Sequence, residues 1–325
     1  MLRWGLLSTA RINRLIIPAI RASARSEVTA VASRTLDRAQ AYASEWKIPR
    51  PLGSYDALLA DPGVDVIYIG LPNSLHVEWT VRSLDAGKHV LCEKPLALRA
   101  EDVDRIAAAA TRTGRVATEA FMYRHHPLTR AVEAVVRSGR LGAIRAYKGG
   151  FTFLLTREGD VRLDPALGGG SLWDVGCYPV SYACLLAAQP PVEAFGWQRT
   201  SQSGVDLEFA GMLRFADGST AQFDCGFMGP FRAAMEVIGT DASLRIERPF
   251  RTDATSRVFL TSGDETQTLP FESEAPFAGE ILDMERAALD GAAPRIALSD
   301  SRRTVAAICA LYASARSAAV RPANR

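Results

Sequence analysis

Three residues with acid–base or charge-bearing side chains stand in distinctive local settings: Lys94, Asp174 and Tyr178. Lys94 closes the run His89-Val90-Leu91-Cys92-Glu93 and is followed at once by Pro95. A strand that delivers an ammonium group to its carboxyl end can hold a donor against a substrate hydroxyl and ease its deprotonation. A turn carrying one surface lysine fits the same residues. The X-Pro bond there is a candidate for the cis form. Asp174 and Tyr178 follow Gly168-Gly169-Gly170, three residues that permit close backbone approach. Their i, i+4 spacing predicts one shared helix face. A carboxylate beside a phenol suits binding and deprotonation of a carbinol; a capping aspartate beside an interface tyrosine is the alternative.

The elements that would position these groups alternate over the first ~120 residues. Strand-like runs at Leu2–Leu7, Val28–Ser33, Val64–Ile69, His89–Cys92 and Val116–Ala120 are short and apolar. Helix-like runs lie between them: Asn13–Ala24 despite Pro18, Thr35–Trp46, Tyr55–Ala60 behind Ser54, Leu75–Ala86 closed by Gly87, and one near Glu101–Ala110. Unbroken apolar strands between helices predict a parallel sheet covered on both faces. After Tyr123 the pattern changes. A helix at Leu128–Ser138 is followed by long, partly alternating runs, with a helix near Ser171–Ala187 inserted among them. Two further helices, near Ala278–Leu289 and Ser301–Ser317, close the chain. The expected fold is therefore α/β: a doubly wound parallel Rossmann sheet in residues 1–122, then an α+β domain in 123–325 with a large, mostly antiparallel open sheet.

In such a sheet a dinucleotide lies over the carboxyl strand ends, its pyrophosphate at a helix N-terminus. The first strand-to-helix turn reads Ser8-Thr9-Ala10-Arg11-Ile12-Asn13, with Ser8 and Ala10 in place of the usual first two glycines. Both are small, so close approach is retained, although a plain strand–helix turn fits as well. The second strand ends in Ser33-Arg34, where an NAD-preferring fold usually places an acidic residue. A hydroxyl and a guanidinium suit a 2′-phosphate instead, which points to NADP over NAD. Asp37 lies one turn further on. The third strand runs into Leu71-Pro72-Asn73-Ser74-Leu75-His76, a loop at a carboxyl strand end. Pro72 stiffens it, and Asn73 or Ser74 can cap the next helix.

Bulk properties exclude several classes. The 325 residues are 48% hydrophobic and 23% charged with a formal net charge of +2, and the charges are scattered. That leaves no basic stripe for nucleic acid. No apolar run reaches the roughly 18 residues of a membrane span, and the N-terminus lacks signal-peptide features. Five widely spaced cysteines without a Cys-x-x-Cys pair predict reduced thiols and a cytoplasmic protein. The histidines show no ligand spacing; His125 and His126 are adjacent and would point apart, so no metal is expected. Disorder is expected only at Val320–Arg325.

Taken together, the glycine-poor first turn, Glu93-Lys94-Pro95, Phe121-Met122-Tyr123-Arg124 and the segment Gly168–Tyr178 resemble the Gfo/Idh/MocA oxidoreductase family over almost the whole chain. Tyr178 stands where many members carry histidine. That resembles the branch with NADP-dependent D-xylose dehydrogenases, dimeric dihydrodiol dehydrogenases and glucose–fructose oxidoreductase. The resemblance implies a role for each residue. Lys94 would contact the reacting oxygen and the nicotinamide ribose, Asp174 would bind or orient the substrate, and Tyr178 would be the acid/base. Ser8, Thr9, Ala10, Arg11 and Ile12 would line the pyrophosphate, and Ser33 and Arg34 the 2′-phosphate. Leu71, Pro72, Asn73, His76 and Glu93 would surround the nicotinamide half, with Arg124 nearby. Tyr123 and Arg162 would contact substrate, with Asp164 beside Arg162, although a loop salt bridge fits the latter pair equally. The implied activity is NADP-dependent hydride transfer at a carbinol carbon of a sugar-like substrate, an aldopyranose such as D-xylose or glucose oxidised to the lactone. A sugar ketoreductase, a trans-dihydrodiol dehydrogenase and a non-catalytic NADP-binding sensor are the alternatives. The implied assembly is a homodimer or homotetramer packed through the C-terminal sheet.

Overall fold

A computed structural model describes residues 1–317; the expected disorder at Val320–Arg325 lies outside the described residues. The chain divides into two compact units, Met1–Pro127 with Ser273–Arg302, and Leu128–Glu272 with the remainder from Arg303.

The first unit runs β1 (Leu2–Leu7), α1 (Asn13–Ala22), β2 (Ser26–Ala32), α2 (Leu36–Trp46), β3 (Arg50–Leu52), α3 (Tyr55–Leu59), β4 (Val66–Ile69), α4 (His76–Asp85), β5 (His89–Glu93), α5 (Ala100–Thr113), β6 (Ala117–Ala120) and α6 (Met122–His125). The strands pair in parallel in the order β3-β2-β1-β4-β5-β6. This is the expected doubly wound sheet, with its order reversing between β1 and β4. Only the three-residue β3, which contains Pro51, had no counterpart in the sequence reading. Ser54 caps α3 by accepting the Ala57 N–H at 3.1 Å. Leu2, Trp4, Leu6, Ile16, Ile17, Ile20 and Tyr68 belong to one buried core.

The second unit runs α7 (Pro127–Arg137), β7 (Ile144–Leu154), α8 (Cys177–Ala187), β8 (Pro191–Thr200), β9 (Asp206–Phe215), β10 (Thr220–Gly226), β11 (Met228–Gly239), β12 (Ser243–Glu247), β13 (Arg257–Ser262) and β14 (Glu265–Thr268). Its eight strands are ordered β14-β13-β12-β11-β7-β10-β9-β8. All neighbours are antiparallel except β7 and β10. One face buries Phe209, Leu213, Phe215, Phe223, Met235 and Val237; the other leaves Phe195, Trp197 and Met212 exposed.

The remaining helices are α9 (Ala278–Asp290) and α10 (Leu298–Ser317). Sequence reading assigned all of 123–325 to the second domain. Residues 273–302 instead pack with the first unit, because α9 inserts Ile281 and Met284 into the core around Trp4. Arg295 adds a 2.5 Å bond from Nε to the Arg124 carbonyl.

α9 also buries Glu280, whose two carboxyl oxygens have no hydrogen-bond partner among the described residues. Burial, and then the charge of Glu93, push its carboxyl well above the usual range. A group raised on folding contributes stability fully below its unfolded value and loses it as pH rises through the folded one. The wild-type protein is therefore expected to lose thermal stability as pH climbs above 4.5, the ordinary value for this group. Glu280→Gln, which cannot ionise, should show a flatter profile. Melting temperatures measured from mildly acidic to alkaline pH check this; parallel profiles would refute it.

Candidate active site

In the first unit the site forms where the sheet order reverses. β1 is followed by Ser8, whose backbone takes φ 125°, a conformation that favours glycine. Two bonds hold it there. Ser8 Oγ donates to the Gly70 carbonyl at 3.2 Å, and Asn13 Nδ2 donates to the Ser8 carbonyl at 2.8 Å. The turn and the end of β4 approach so closely that a Cβ on Gly70 would lie 3.1 Å from Ile12 and 3.3 Å from Ala10. Serine and alanine thus preserve the close approach that glycines usually provide. Thr9, Ala10 and Ile12 are half-buried and Arg11 is exposed at the start of α1.

At the end of β2, Ser33 is buried and Arg34 is exposed. Arg38, on α2, was not singled out in the sequence. Its guanidinium and that of Arg34 both act on the Tyr55 phenol, which burial otherwise raises. Neither arginine has an ion-pair partner among the described residues. Two unneutralised guanidiniums beside one phenol suit a phosphate. The signal for Arg38 was its place one turn beyond Arg34 on the helix leaving the strand.

The loop after β4 keeps Leu71, Pro72 and Asn73 half-buried. His76 is fully buried, with Nδ1 2.8 Å from the Pro95 carbonyl and Nε2 2.8 Å from the Leu71 carbonyl. Burial lowers its pKa against the opposing pull of the two carbonyls, and a protonated ring nitrogen donates to either. Its place is a bracket between the β4 and β5 loops, in contrast to the cofactor contact expected from sequence. The Lys94-Pro95 bond is cis. Lys94 and Glu93 are half-buried, and Tyr68 Oη donates to Glu93 Oε1 at 2.5 Å.

Glu119, near the end of β6, was also missed. It is buried, accepts the Leu96 N–H at 2.8 Å, and is raised by burial against the pull of that bond and of the charges of Arg124 and Lys94. An acidic residue inside a short apolar strand was the available signal. Tyr123 and Arg124 differ from expectation: both are buried. Tyr123 packs edge-on against Phe121, and Arg124 pairs with Asp300 at 3.0 Å. They consolidate α6, with Tyr123 fully buried and Arg124 4% exposed.

The second unit holds the other two groups. The helix expected near Ser171 starts as a π turn, Leu172–Gly176, before becoming α8. Asp174 lies in the π turn and Tyr178 in the first turn of α8, both half-buried. Asp174 Oδ2 accepts from Arg162 Nε at 2.6 Å, and the same guanidinium reaches Asp160 at 3.2 Å. Arg162 is thus engaged with the carboxylate, and Asp164 instead caps the following turn through the Ala166 N–H. The charge of Asp174 is the main reason the Arg162 pKa is raised. Tyr178 is flanked by Phe151 and Phe250, with ring centroids 5.3 Å away in each case. The glycines are required locally. Gly168 and Gly170 take φ 77° and 134°, and a Cβ on Gly169 would lie 2.5 Å from the Arg162 carbonyl.

These features match known proteins over the full length. Residues 2–121 match the model of the Gfo/Idh/MocA oxidoreductase family with an NAD-binding Rossmann fold, and residues 129–245 match that family's C-terminal domain. The chain is 38% identical to a D-xylose 1-dehydrogenase (NADP(+)) of Haloferax volcanii, over 97% of this chain and 98% of the relative. Among solved structures it superposes on KijD10, a 3-ketoreductase from Actinomadura kijaniata bound to NADP and TDP-benzene. The TM-score is 0.89 at 33% identity, covering 96% of this chain and 97% of that one. An aldose-aldose oxidoreductase from Caulobacter crescentus gives a TM-score of 0.89 at 27% identity, covering 97% of each chain. A cofactor turn at the sheet reversal, a lysine before a cis proline, and an aspartate and tyrosine behind three glycines therefore belong to one lineage: the chain is a member of the Gfo/Idh/MocA oxidoreductase family.

Proposed function

We propose that this oxidoreductase uses NADP to oxidise a cyclic sugar, an aldopyranose such as D-xylose or glucose, at its anomeric carbon to the lactone. The observation that carries the reading is the combination of two unneutralised guanidiniums, Arg34 and Arg38, at the end of β2 with an ion-paired Asp174 and a half-buried Tyr178 in the second unit. The likeness to the D-xylose dehydrogenase over nearly the whole of both chains supports the choice of substrate.

The residues present fit the cofactor. Ser8 to Ile12 would hold the pyrophosphate, with Ser33, Arg34 and Arg38 at the 2′-phosphate. Leu71, Pro72, Asn73 and Glu93 would hold the nicotinamide half, and His76 would keep their loop in place. Bound NADP supplies the hydride acceptor. Tyr178 takes the hydroxyl proton, held in orientation by Phe151 and Phe250. Lys94 binds the reacting oxygen. Asp174 accepts hydrogen bonds from sugar hydroxyls, and Arg162 keeps that carboxylate in place. Reduction of a keto-sugar by the reverse proton and hydride movements is the second reading, supported by the likeness to the 3-ketoreductase.

No described helix is long and apolar enough to cross a membrane, and all five cysteines are free thiols. The thiols support a cytoplasmic setting. Phe195 pairs across strands with Met212, and Trp197 lies on the same exposed face. An apolar patch of this kind supports self-association through the open sheet.

Absorbance of NADPH in a panel of aldoses, and its consumption with keto-sugars, separates the two directions: formation with D-xylose or glucose is expected. Consumption with a keto-sugar alone selects the second reading, and silence on every sugar overturns both. Arg34→Ala with Arg38→Ala should weaken NADP binding by roughly 10- to 100-fold while leaving NAD binding near the wild-type level; titration by protein fluorescence checks this, and an equal loss for both cofactors would contradict it. Tyr178→Phe should lower turnover by about 10²-fold or more, with NADP affinity unchanged. Unaltered turnover in that variant would remove Tyr178 as the acid/base.

A further inference from the structure

Asp206 lies at the start of β9, outside the residues assigned above, and is almost completely buried. Its carboxylate accepts three hydrogen bonds from two segments. Ser171 Oγ donates to Oδ2 at 2.7 Å, the Leu172 N–H donates to the same oxygen at 2.8 Å, and Tyr312 Oη of α10 donates to Oδ1 at 2.6 Å. Burial, and then the negative charge of Asp206, push the Tyr312 phenol well up, so it remains a donor. Ser171 and Leu172 are the residues on which the π turn starts. The packing is tight enough to exclude a side chain: a Cβ on Gly170 would lie 2.3 Å from Asp206 Oδ1 and 2.6 Å from Tyr312 Oη. Tyr312 also lays its ring 5.6 Å from that of Trp173, inside the turn.

We propose that Asp206, oriented by Tyr312, is a positioning residue that anchors the π turn and so sets where Asp174 and Tyr178 meet the sugar. The physical basis is the orphan amide at a helix start. The Leu172 N–H has an acceptor only because a buried carboxylate on another strand supplies it. A carboxylate so buried is itself stable only with several donors. The two needs satisfy each other, and the direction of the turn follows from where β9 holds Asp206. Asp174 stands two residues beyond the anchored amide and Tyr178 six. Loosening the anchor therefore displaces both without touching the cofactor half of the protein. This assignment rests on Asp174 and Tyr178 serving the sugar, as proposed above.

The test uses Tyr312→Phe, which removes one hydroxyl and keeps the ring packing, and Asp206→Asn, which replaces an acceptor oxygen with a donor. Three quantities are read in each: amide hydrogen exchange over residues 169–176, NADP affinity, and steady-state KM and kcat for the sugar. In Tyr312→Phe, exchange in that segment should quicken and kcat/KM should fall by roughly 10-fold, with NADP affinity within about twofold of wild type. Asp206→Asn should move all sugar readouts further in the same direction. Unchanged exchange in both variants overturns the anchor. A loss of NADP affinity matching the loss of kcat/KM also overturns it, because that pattern marks general damage. If the wild-type protein turns over no sugar, the proposed function fails while the exchange data still decide whether Asp206 holds the turn.

Discussion

The bond between Arg162 and Asp174, 2.6 Å long, shows the constraint that governs the second unit. A carboxylate taken partly out of water keeps its charge only where donors are arranged around it. Arg162 can serve because its loop folds back over the glycines so closely that a Cβ on Gly169 would lie 2.5 Å from the Arg162 carbonyl. Asp160 holds the other side of the same guanidinium. One level deeper, Asp206 gathers a hydroxyl, a backbone amide and a phenol. A chemically competent aspartate at the surface of this unit thus depends on a second, hidden one behind it.

The first unit handles the same problem in two ways. Glu93 and Glu119 receive Tyr68 Oη and the Leu96 amide, so the carboxyls nearest the end of β5 are tied to neighbouring strands. Glu280 receives nothing among the described residues, and burial pushes its carboxyl well above the usual range. At the β1 turn the constraint is steric. Ser8 accepts a conformation that costs on the order of 1 kcal/mol or more for a side-chain-bearing residue, and the bonds to Gly70 and from Asn13 offset it.

Much of this was legible in the residues. Short apolar strands between helices specify a parallel sheet, and their bounds fell within a few residues of those found because burial on both faces leaves no other pattern. The open, mostly antiparallel sheet was legible from the partial alternation of its long runs; which residues face inward, Phe209, Leu213 and Phe215 among them, the structure adds. What was not legible depended on contacts distant in sequence. Residues 273–302 join the first unit through Ile281 and Met284, and an amphipathic helix does not state which core it enters. The resemblance implied that Tyr123 contacts substrate and that Arg124 lies near the cofactor; the partner of the buried arginine is Asp300, 176 positions away. Only the resemblance made His76 a nicotinamide contact; the residue alone read as a core or surface histidine, and the Pro95 carbonyl that it reaches lies beyond the end of the next strand. Arg162 was left between substrate contact and salt bridge, and the structure gives it the salt bridge.

The π turn also bears on how this chain can diverge. A π turn is an α turn that has gained one residue. Such a turn takes up the extra residue locally, so the elements on either side keep their facing. Tyr178, in the first turn of α8, keeps its place beside the rings of Phe151 and Phe250. A lineage can therefore gain or lose one residue at this turn and retain both its scaffold and the groups that follow.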